Sequence, residues 1–154
     1  INSTLGKKKS ASDYAAGRDY FIDYFETTPV FSYQPNSAFR IALNSKYSEK
    51  ENNSELAEKA TIRDVGIDLR YNQVKKGSFS GRFNYINIDY NALLNSSIAF
   101  EMLEGLKTGD NFTWGLSYQR KVAKNLQINL NYNGRKSEDS KTIHSGGMEL
   151  RAFF

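Results

Sequence analysis

Apolar and polar side chains alternate along several segments of the chain, most regularly in its C-terminal third. One such segment has its apolar side chains at Phe112, Trp114, Leu116 and Tyr118. The same period of two recurs over residues 126–133 and 148–154. A period of two places alternate side chains on opposite faces of a β-strand. The pattern therefore predicts strands with one apolar and one polar face.

Applied to the whole chain, the pattern predicts about seven strands. They cover residues 18–33, 37–48, 61–72, 78–91, 111–122, 126–136 and 145–154. Pro29 disturbs the first strand, because proline has no N–H to donate to a neighbouring strand. At Tyr85-Ile86 the apolar positions change from odd to even residue numbers, which we interpret as a β-bulge. Residues 1–17 show no alternation and are predicted to be an irregular N-terminal segment.

The predicted connections have two lengths that alternate strictly. Those at 34–36, 73–77 and 123–125 are short, and those at 49–60, 92–110 and 137–144 are long and polar. Outer-membrane barrels have this layout, with short periplasmic turns and longer outer loops. The predicted fold class is therefore all-β, an antiparallel up-and-down transmembrane β-barrel segment. A soluble lipocalin-like barrel that binds an apolar ligand shows the same alternation with its apolar face inward, and remains the alternative.

The number of strands bears on whether the barrel is complete. Single-chain bacterial barrels normally have an even number of strands, so about seven strands leave at least one missing. We therefore predict that residues 18–154 are the C-terminal part of a larger barrel. Alternatively, residues 97–103 form an eighth strand, because Ile98, Phe100 and Met102 alternate there, and the chain closes alone.

Aromatic side chains collect at the ends of the predicted strands. Rings with a polar tip favour the boundary between lipid and water, which predicts two aromatic girdles around an aliphatic band. The outer girdle would contain Tyr47, Tyr90, Phe112, Trp114 and Tyr132. The periplasmic girdle would contain Tyr33, Phe39, Tyr71, Phe79, Tyr118 and Phe154. Aromatic residues are also common in the strands of soluble sheets, so the girdles do not follow from composition alone.

The opposite faces of the predicted strands carry charged and amide side chains. The predicted lumen residues are Arg40, Lys46, Asp64, Asp68, Arg70, Arg82, Asn129, Asn131, Glu149 and Arg151. An Arg or Lys that faces lipid at the middle of a bilayer costs about 2–4 kcal/mol, so these side chains should line a polar lumen. In a soluble antiparallel sheet the same faces would be the solvated side.

Composition excludes several classes of function. The chain has no Cys and a single His, His144, which excludes disulfide scaffolds and zinc ribbons and argues against a bound transition metal. His144 stands beside Ser145 at the end of a predicted loop, where a lone imidazole is more often exposed than catalytic. The net charge is +4, but charges of both signs share the polar faces, which argues against nucleic-acid binding. We predict no enzymatic activity, no cofactor and no metal.

The last predicted strand carries a pattern that the barrel assembly machinery reads in outer-membrane proteins. A glycine, alternate apolar residues and a final aromatic form this signal, here Gly146, Met148, Leu150, Ala152 and Phe154. Recognition works by β-augmentation, in which an exposed strand edge pairs with the edge of another sheet.

Four segments carry a resemblance to a known group of proteins. They are Phe100-Glu-Met-Leu-Glu-Gly-Leu106, Asn111-Phe-Thr-Trp-Gly-Leu-Ser-Tyr-Gln-Arg120, Asn133-Gly-Arg-Lys-Ser and Arg151-Ala-Phe-Phe154. They resemble the closing strands of large outer-membrane β-barrel proteins of the Bacteroidota. The resemblance implies a barrel in a bacterial outer membrane. The resemblance implies no particular activity. The polar lumen of such a barrel predicts a porin-like role in forming or closing a transport or secretion pore. The expected partners are outer-membrane lipid and lipopolysaccharide, the assembly machinery, and the rest of a parent barrel or neighbouring outer-membrane subunits.

Overall fold

A computed structural model describes residues 2–10, 20–52, 58–73, 77–92 and 97–153. The elements in chain order are β1 Asn2–Ser10, β2 Tyr20–Thr28, β3 Val30–Tyr33, β4 Phe39–Asn52, β5 Lys59–Gln73, β6 Gly77–Tyr90, α1 Ser97–Met102, β7 Gly109–Ala123, β8 Leu126–Ser137 and β9 Ile143–Ala152. All strand pairs are antiparallel, and the sheet order is β1-β2-β4-β5-β6-β7-β8-β9, with β3 also paired to β4. The fold is therefore all-β with up-and-down connectivity, as the alternation predicts.

β2 and β3 behave as one strand that is interrupted at Pro29. Ile22 pairs with Asn52 and Tyr33 pairs with Ile41, and the register is the same on both sides of the proline. The carbonyl of Pro29 accepts a hydrogen bond from the Ser45 N–H at 3.0 Å. Proline lacks a backbone N–H but keeps its carbonyl, so the pairing with β4 continues through this group. The predicted disturbance is confirmed, and it does not shift the register.

The N-terminal segment differs from the prediction. Residues 1–17 are predicted to be irregular, but Asn2–Ser10 form β1, which pairs with β2 along its whole length. Hydrogen bonds between backbones hold a strand whatever its side chains are, so the missing alternation does not exclude one. β1 supplies an eighth consecutive strand, and an odd strand number is no longer an argument for a larger barrel. Residues 1 and 11–17 lie outside the described residues.

The alternative eighth strand at 97–103 is wrong, because this segment contains helix α1. Ala99, Met102 and Leu103 are buried, whereas Phe100 is 71% exposed, which is the pattern of one helix face. The helix ends with Glu104 at φ 56° and Gly105 at φ 73°. The Gly105 N–H donates to the Phe100 carbonyl at 3.1 Å, the bond that closes a Schellman motif.

The bulge interpreted at Tyr85-Ile86 is also wrong. β6 pairs residue for residue with β5 and β7 across this point. The apolar side chains change faces instead, because α1 covers the other face from here on. Ile86 and Ile88 pack with Ala99 and Leu103 of the helical segment. In the pairing of β7 with β8, a register shift lies between Lys121 and Ala123, close to a turn.

The two ends of the sheet differ in their connections. We call the end at which β4, β6 and β8 begin the turn end, and the end at which β5, β7 and β9 begin the loop end. The core formed by α1 lies at the loop end, where a second buried cluster contains Ile22, Ala60 and Met102. Within the described ranges β1 and β9 are the two edges of the sheet and do not pair with each other.

Candidate functional site: the two faces of the sheet

The strand register places all ten predicted lumen residues on one face, which we call the polar face. Directly opposed residues share a face of a sheet. Within β4–β6 and within β8–β9, the paired positions are Arg40 with Arg70, Lys46 with Asp64, Asp68 with Arg82, Asn129 with Glu149, Asn131 with Gly147 and Gln127 with Arg151. Gly115 of β7 joins the two groups, because it pairs with Arg82 on one side and with Asn133 on the other. The polar residues predicted separately on each strand therefore come together on one surface.

The other face, which we call the apolar face, carries large hydrophobic side chains that remain exposed. Phe31 is 77% exposed and Met148 is 74% exposed. Other exposed members of this face are Leu43, Val65, Tyr71, Phe83, Leu116, Leu130 and Leu150. In the described part of the chain, no second layer covers this surface.

The predicted girdle residues lie on the apolar face with one exception. Phe39, Tyr71, Phe79 and Tyr118 are successive partners in a single row across four strands. By register, Tyr33, Tyr47, Phe112, Trp114 and Tyr132 also belong to the apolar face. The prediction for Tyr90 is wrong, because Tyr90 pairs with Ala60 on the polar face and packs against the core under α1. Phe154 lies outside the described residues.

The apolar band runs obliquely across the rows of paired residues. Phe39 on β4 and Met148 on β9 belong to the same row. On β4 the apolar face from Phe39 to Tyr47 is centred on Leu43, four residues from that row toward the loop end. On β9 the apolar face from Met148 to Ala152 is centred on Leu150, two residues from that row toward the turn end. From β4 to β9 the centre of the band therefore moves about six residues along the strands over five strand-to-strand steps. This is about 4 Å per step, and neighbouring strands are about 4.8 Å apart. A slope of this size corresponds to an angle of about 40° between the strands and the normal to the band.

The predicted assembly signal occupies the exposed edge strand β9. Gly146, Met148, Leu150 and Ala152 lie on the apolar face, opposite Tyr132, Leu130, Ile128 and Leu126 of β8. All ten residues of β9 are exposed, and its free side has no partner in the described part of the sheet. The geometry thus presents an unpaired strand edge with alternate apolar side chains. Phe154, the last residue of the predicted signal, is not among the described residues.

A charged cluster joins the segment after α1 to the polar face. The Lys46 ammonium group donates to both carboxylate oxygens of Glu104, at 2.7 and 2.9 Å, and lies 3.4 Å from Glu26. The Lys50 ammonium group donates to Glu104 at 2.8 Å and contacts the Met102 carbonyl at 3.3 Å. Partial burial opposes the charge of Glu104, but these hydrogen bonds outweigh it and hold the pKa of Glu104 below its ordinary value. The sequence gives no signal for Glu104 or Lys50, because their partners are far away along the chain.

Three aromatic rings form a separate cluster on the apolar face. Trp114 lies across Gly134, where an added Cβ would overlap its indole ring. His144 stacks on Tyr132 with ring centroids 6.0 Å apart, and its Nδ1 lies 2.8 Å from the Tyr132 hydroxyl. His144 belongs to β9 rather than to a loop, so Ser145 points to the opposite face. A catalytic His–Ser pair is therefore absent at this position.

A groove of about 620 Å³ lies on the polar face, between α1 and the turn end. Its lining comes from five neighbouring strands, β5 to β9, and includes Asp68, Arg70, Arg82, Asn131, Asn133 and Arg135. A hollow lined by residues of five neighbouring strands, together with α1 packed on the same face, indicates that the polar face is the concave one. Arg135 was not singled out from the sequence, although it lies in phase with Asn129 and Asn131 on β8.

Comparisons with known proteins add no assignment. No family model matches the chain, and no curated protein or solved structure shows significant similarity to it. Among the residues described here, no group of His, Asp and Glu side chains is arranged to hold a metal ion. In the same residues, no helix has the length and apolar character needed to cross a membrane.

Proposed function

We propose that this chain forms part of the wall of a β-barrel in a bacterial outer membrane, with its apolar face toward lipid and its polar face toward a water-filled lumen. In this role it helps to form or close a pore for transport or secretion, and it carries out no catalysis. The observation that carries the proposal is the exposure of large hydrophobic side chains on the face opposite the polar groove.

The exposed hydrophobic surface would be unfavourable in water. Monomeric soluble proteins rarely expose contiguous apolar patches larger than a few hundred Å². Here such side chains recur from β3 to β9. Charged residues take their place near the two ends of the strands, as Arg63 and Asp89 do at the loop end and Arg120 at the turn end. The angle of about 40° between strands and band normal also agrees with the strand tilt of about 35–45° in membrane barrels.

The soluble lipocalin-like alternative requires the apolar face to enclose the ligand. In this chain the groove and α1 lie on the polar face, and the apolar face is on the convex side. If this chain were a lipocalin, its apolar ligand-binding face would lie on the outside of the curved sheet, in contact with water. The arrangement therefore favours the membrane proposal.

The free edges of the sheet indicate what else the barrel needs. An unpaired backbone N–H or C=O in hydrocarbon costs several kcal/mol, so β1 and β9 must each find a partner in a bilayer. Eight strands enclose a space that side chains alone nearly fill, whereas here α1, with a diameter of about 10 Å, occupies the concave side as well. We therefore propose that strands from the rest of a parent barrel or from neighbouring subunits complete the wall. Assembly would use the edge of β9 and the barrel assembly machinery.

Two adjacent residues of β8 test which face meets lipid. Leu130→Arg should greatly reduce the amount of heat-modifiable protein in the outer membrane, because Leu130 lies on the apolar face and a lipid-facing Arg costs about 2–4 kcal/mol near mid-membrane. Asn131→Arg, on the polar face, should leave that amount unchanged. Equal tolerance of both variants would contradict the lipid-facing assignment. Sensitivity at Asn131 alone would favour a barrel whose apolar face is inside.

A further inference from the structure

The positive charges of the polar face are compensated at the loop end and only partly compensated in the groove. Near α1, Lys46 and Lys50 share the carboxylate of Glu104, and Lys46 also meets Glu26. In the groove, Asp68 is the acidic lining residue, against three arginines, Arg70, Arg82 and Arg135. The groove therefore carries a net positive charge.

The single carboxylate of the groove is already engaged. Its Oδ1 accepts a hydrogen bond from the Arg82 Nε at 2.6 Å, and its Oδ2 accepts one from the Asn44 side chain at 2.7 Å. The guanidinium groups of Arg70 and Arg135 have no ion-pair or hydrogen-bond partner among the described residues. Two guanidinium groups of the groove are thus free to bind a ligand.

Small residues separate these two arginines. Arg70 on β5 shares a row with Ser80 and Ser117, whereas Arg135 on β8 is three strands away and pairs with Thr113, in a row four residues nearer the loop end. Three strand spacings are about 14 Å and four residues along a strand are about 13 Å, so the two arginines offer two separate anion contacts within the groove. Asn131 and Asn133 add amide donors on the same side as Arg135.

We propose that the groove binds oxyanions, the carboxylate or phosphate groups of small solutes, at Arg70 and at Arg135. Arginine matches both groups because its planar fork donates two parallel hydrogen bonds. A cleft with charge of one sign also raises the local concentration of the opposite ion, so the polar face favours anions over cations. The preference during transport rests on the proposed function, whereas binding of the oxyanion does not.

The test uses the full-length protein in planar lipid bilayers under a KCl gradient. The zero-current potential should show a preference for chloride, and millimolar inorganic phosphate should reduce the chloride current. The double variant Arg70→Gln/Arg135→Gln should lower the anion preference and weaken the block by phosphate about tenfold, given the strength of paired charge-assisted bonds. The control Arg63→Gln removes a charge from the apolar face, where Arg63 pairs with Asp89 at 2.7 Å, and should change neither value.

The possible results separate the two proposals. A double variant whose selectivity and phosphate block are unchanged would overturn the oxyanion site and leave the pore standing. Cation selectivity of the natural pore would do the same. If the protein forms no pore, phosphate binding to the detergent-solubilised protein, followed by phosphorus NMR, decides the site alone. Binding that is lost in the double variant and kept in Arg63→Gln supports the site. Absence of binding in the natural protein refutes it.

Discussion

Glu104 accepts two hydrogen bonds from the Lys46 ammonium group, at 2.7 and 2.9 Å, across a sequence separation of 58 residues. Glu104 also has a positive φ of 56°, a backbone conformation that glycine adopts more readily. A non-glycine residue at this helix end carries a local conformational cost, which its contacts with Lys46 and Lys50 offset. The pair therefore fastens α1 to the polar face of the sheet.

The first prediction concerns the strength of this attachment. Glu104→Gln should speed hydrogen–deuterium exchange of the amides in Ser97–Met102 by a factor of about two to five, because a partly exposed ion pair contributes up to about 1 kcal/mol. Glu51→Gln, an exposed carboxylate on the apolar face, serves as the control and should change nothing. Unchanged exchange in both variants would show that the buried apolar contacts hold α1 without help.

The second prediction concerns pH. Because the pKa of Glu104 is lowered in the folded protein, its contribution is complete above the ordinary pKa of a glutamate and is lost as the pH falls through the lowered value. Protection of the α1 amides, corrected for intrinsic exchange rates, should therefore fall at acidic pH in the natural protein. In Glu104→Gln this part of the pH dependence should be absent. A similar acid response in the variant would assign the effect to another group.

The third prediction compares two glycines in neighbouring strands. Gly134→Ala should destabilise the fold by about 1–3 kcal/mol, because the new Cβ overlaps the Trp114 ring and forces it to move. Gly147→Ala should be close to neutral, because nothing lies within 4 Å of the added Cβ. Urea unfolding in detergent, followed by the fluorescence of the single Trp, measures both values. Equal destabilisation would mean that the ring does not rest on Gly134.

The fourth prediction concerns the orientation of the sheet in the membrane. The chain has no Cys, so single cysteines can be introduced without background. Thr108→Cys and Lys141→Cys, both at the loop end, should react with an impermeant maleimide on intact cells. Lys124→Cys, in the exposed β7–β8 turn, should react only after the outer membrane is opened. If only Lys124→Cys were labelled on intact cells, the sheet would have the opposite orientation in the membrane.

The sequence pattern predicts the strands and their faces well where alternation is long and uninterrupted. β7, β8 and β9 begin and end within a few residues of their predicted limits, and Asn129, Asn131 and Glu149 lie on the predicted face. A period of two is a local property of each strand. The register between antiparallel neighbours then follows from matching their apolar faces and from the short turn that joins them. For these elements the residues of the candidate site could be read without the structure.

The N-terminal strand and the helix could not be read in this way. β1 is held by backbone pairing with β2, which leaves no trace in the order of apolar and polar residues. In α1, the residues Ile98, Phe100 and Met102 alternate by coincidence, and burial of Ala99 and Leu103 beside Met102 gives the helical pattern. Six helical residues are too few for a periodicity that separates helix from strand.

By itself, the sequence determined that the chain is an all-β sheet with one apolar and one polar face, because alternation assigns each side chain to a face locally. Only the tertiary structure decided which face is concave, that Ile86, Ile88 and Tyr90 turn inward, and that Arg70 and Arg135 border one groove. These features depend on curvature and on α1, which covers the polar face from a distant part of the chain. The residues that contact one another there are separated in sequence, so no local pattern records them.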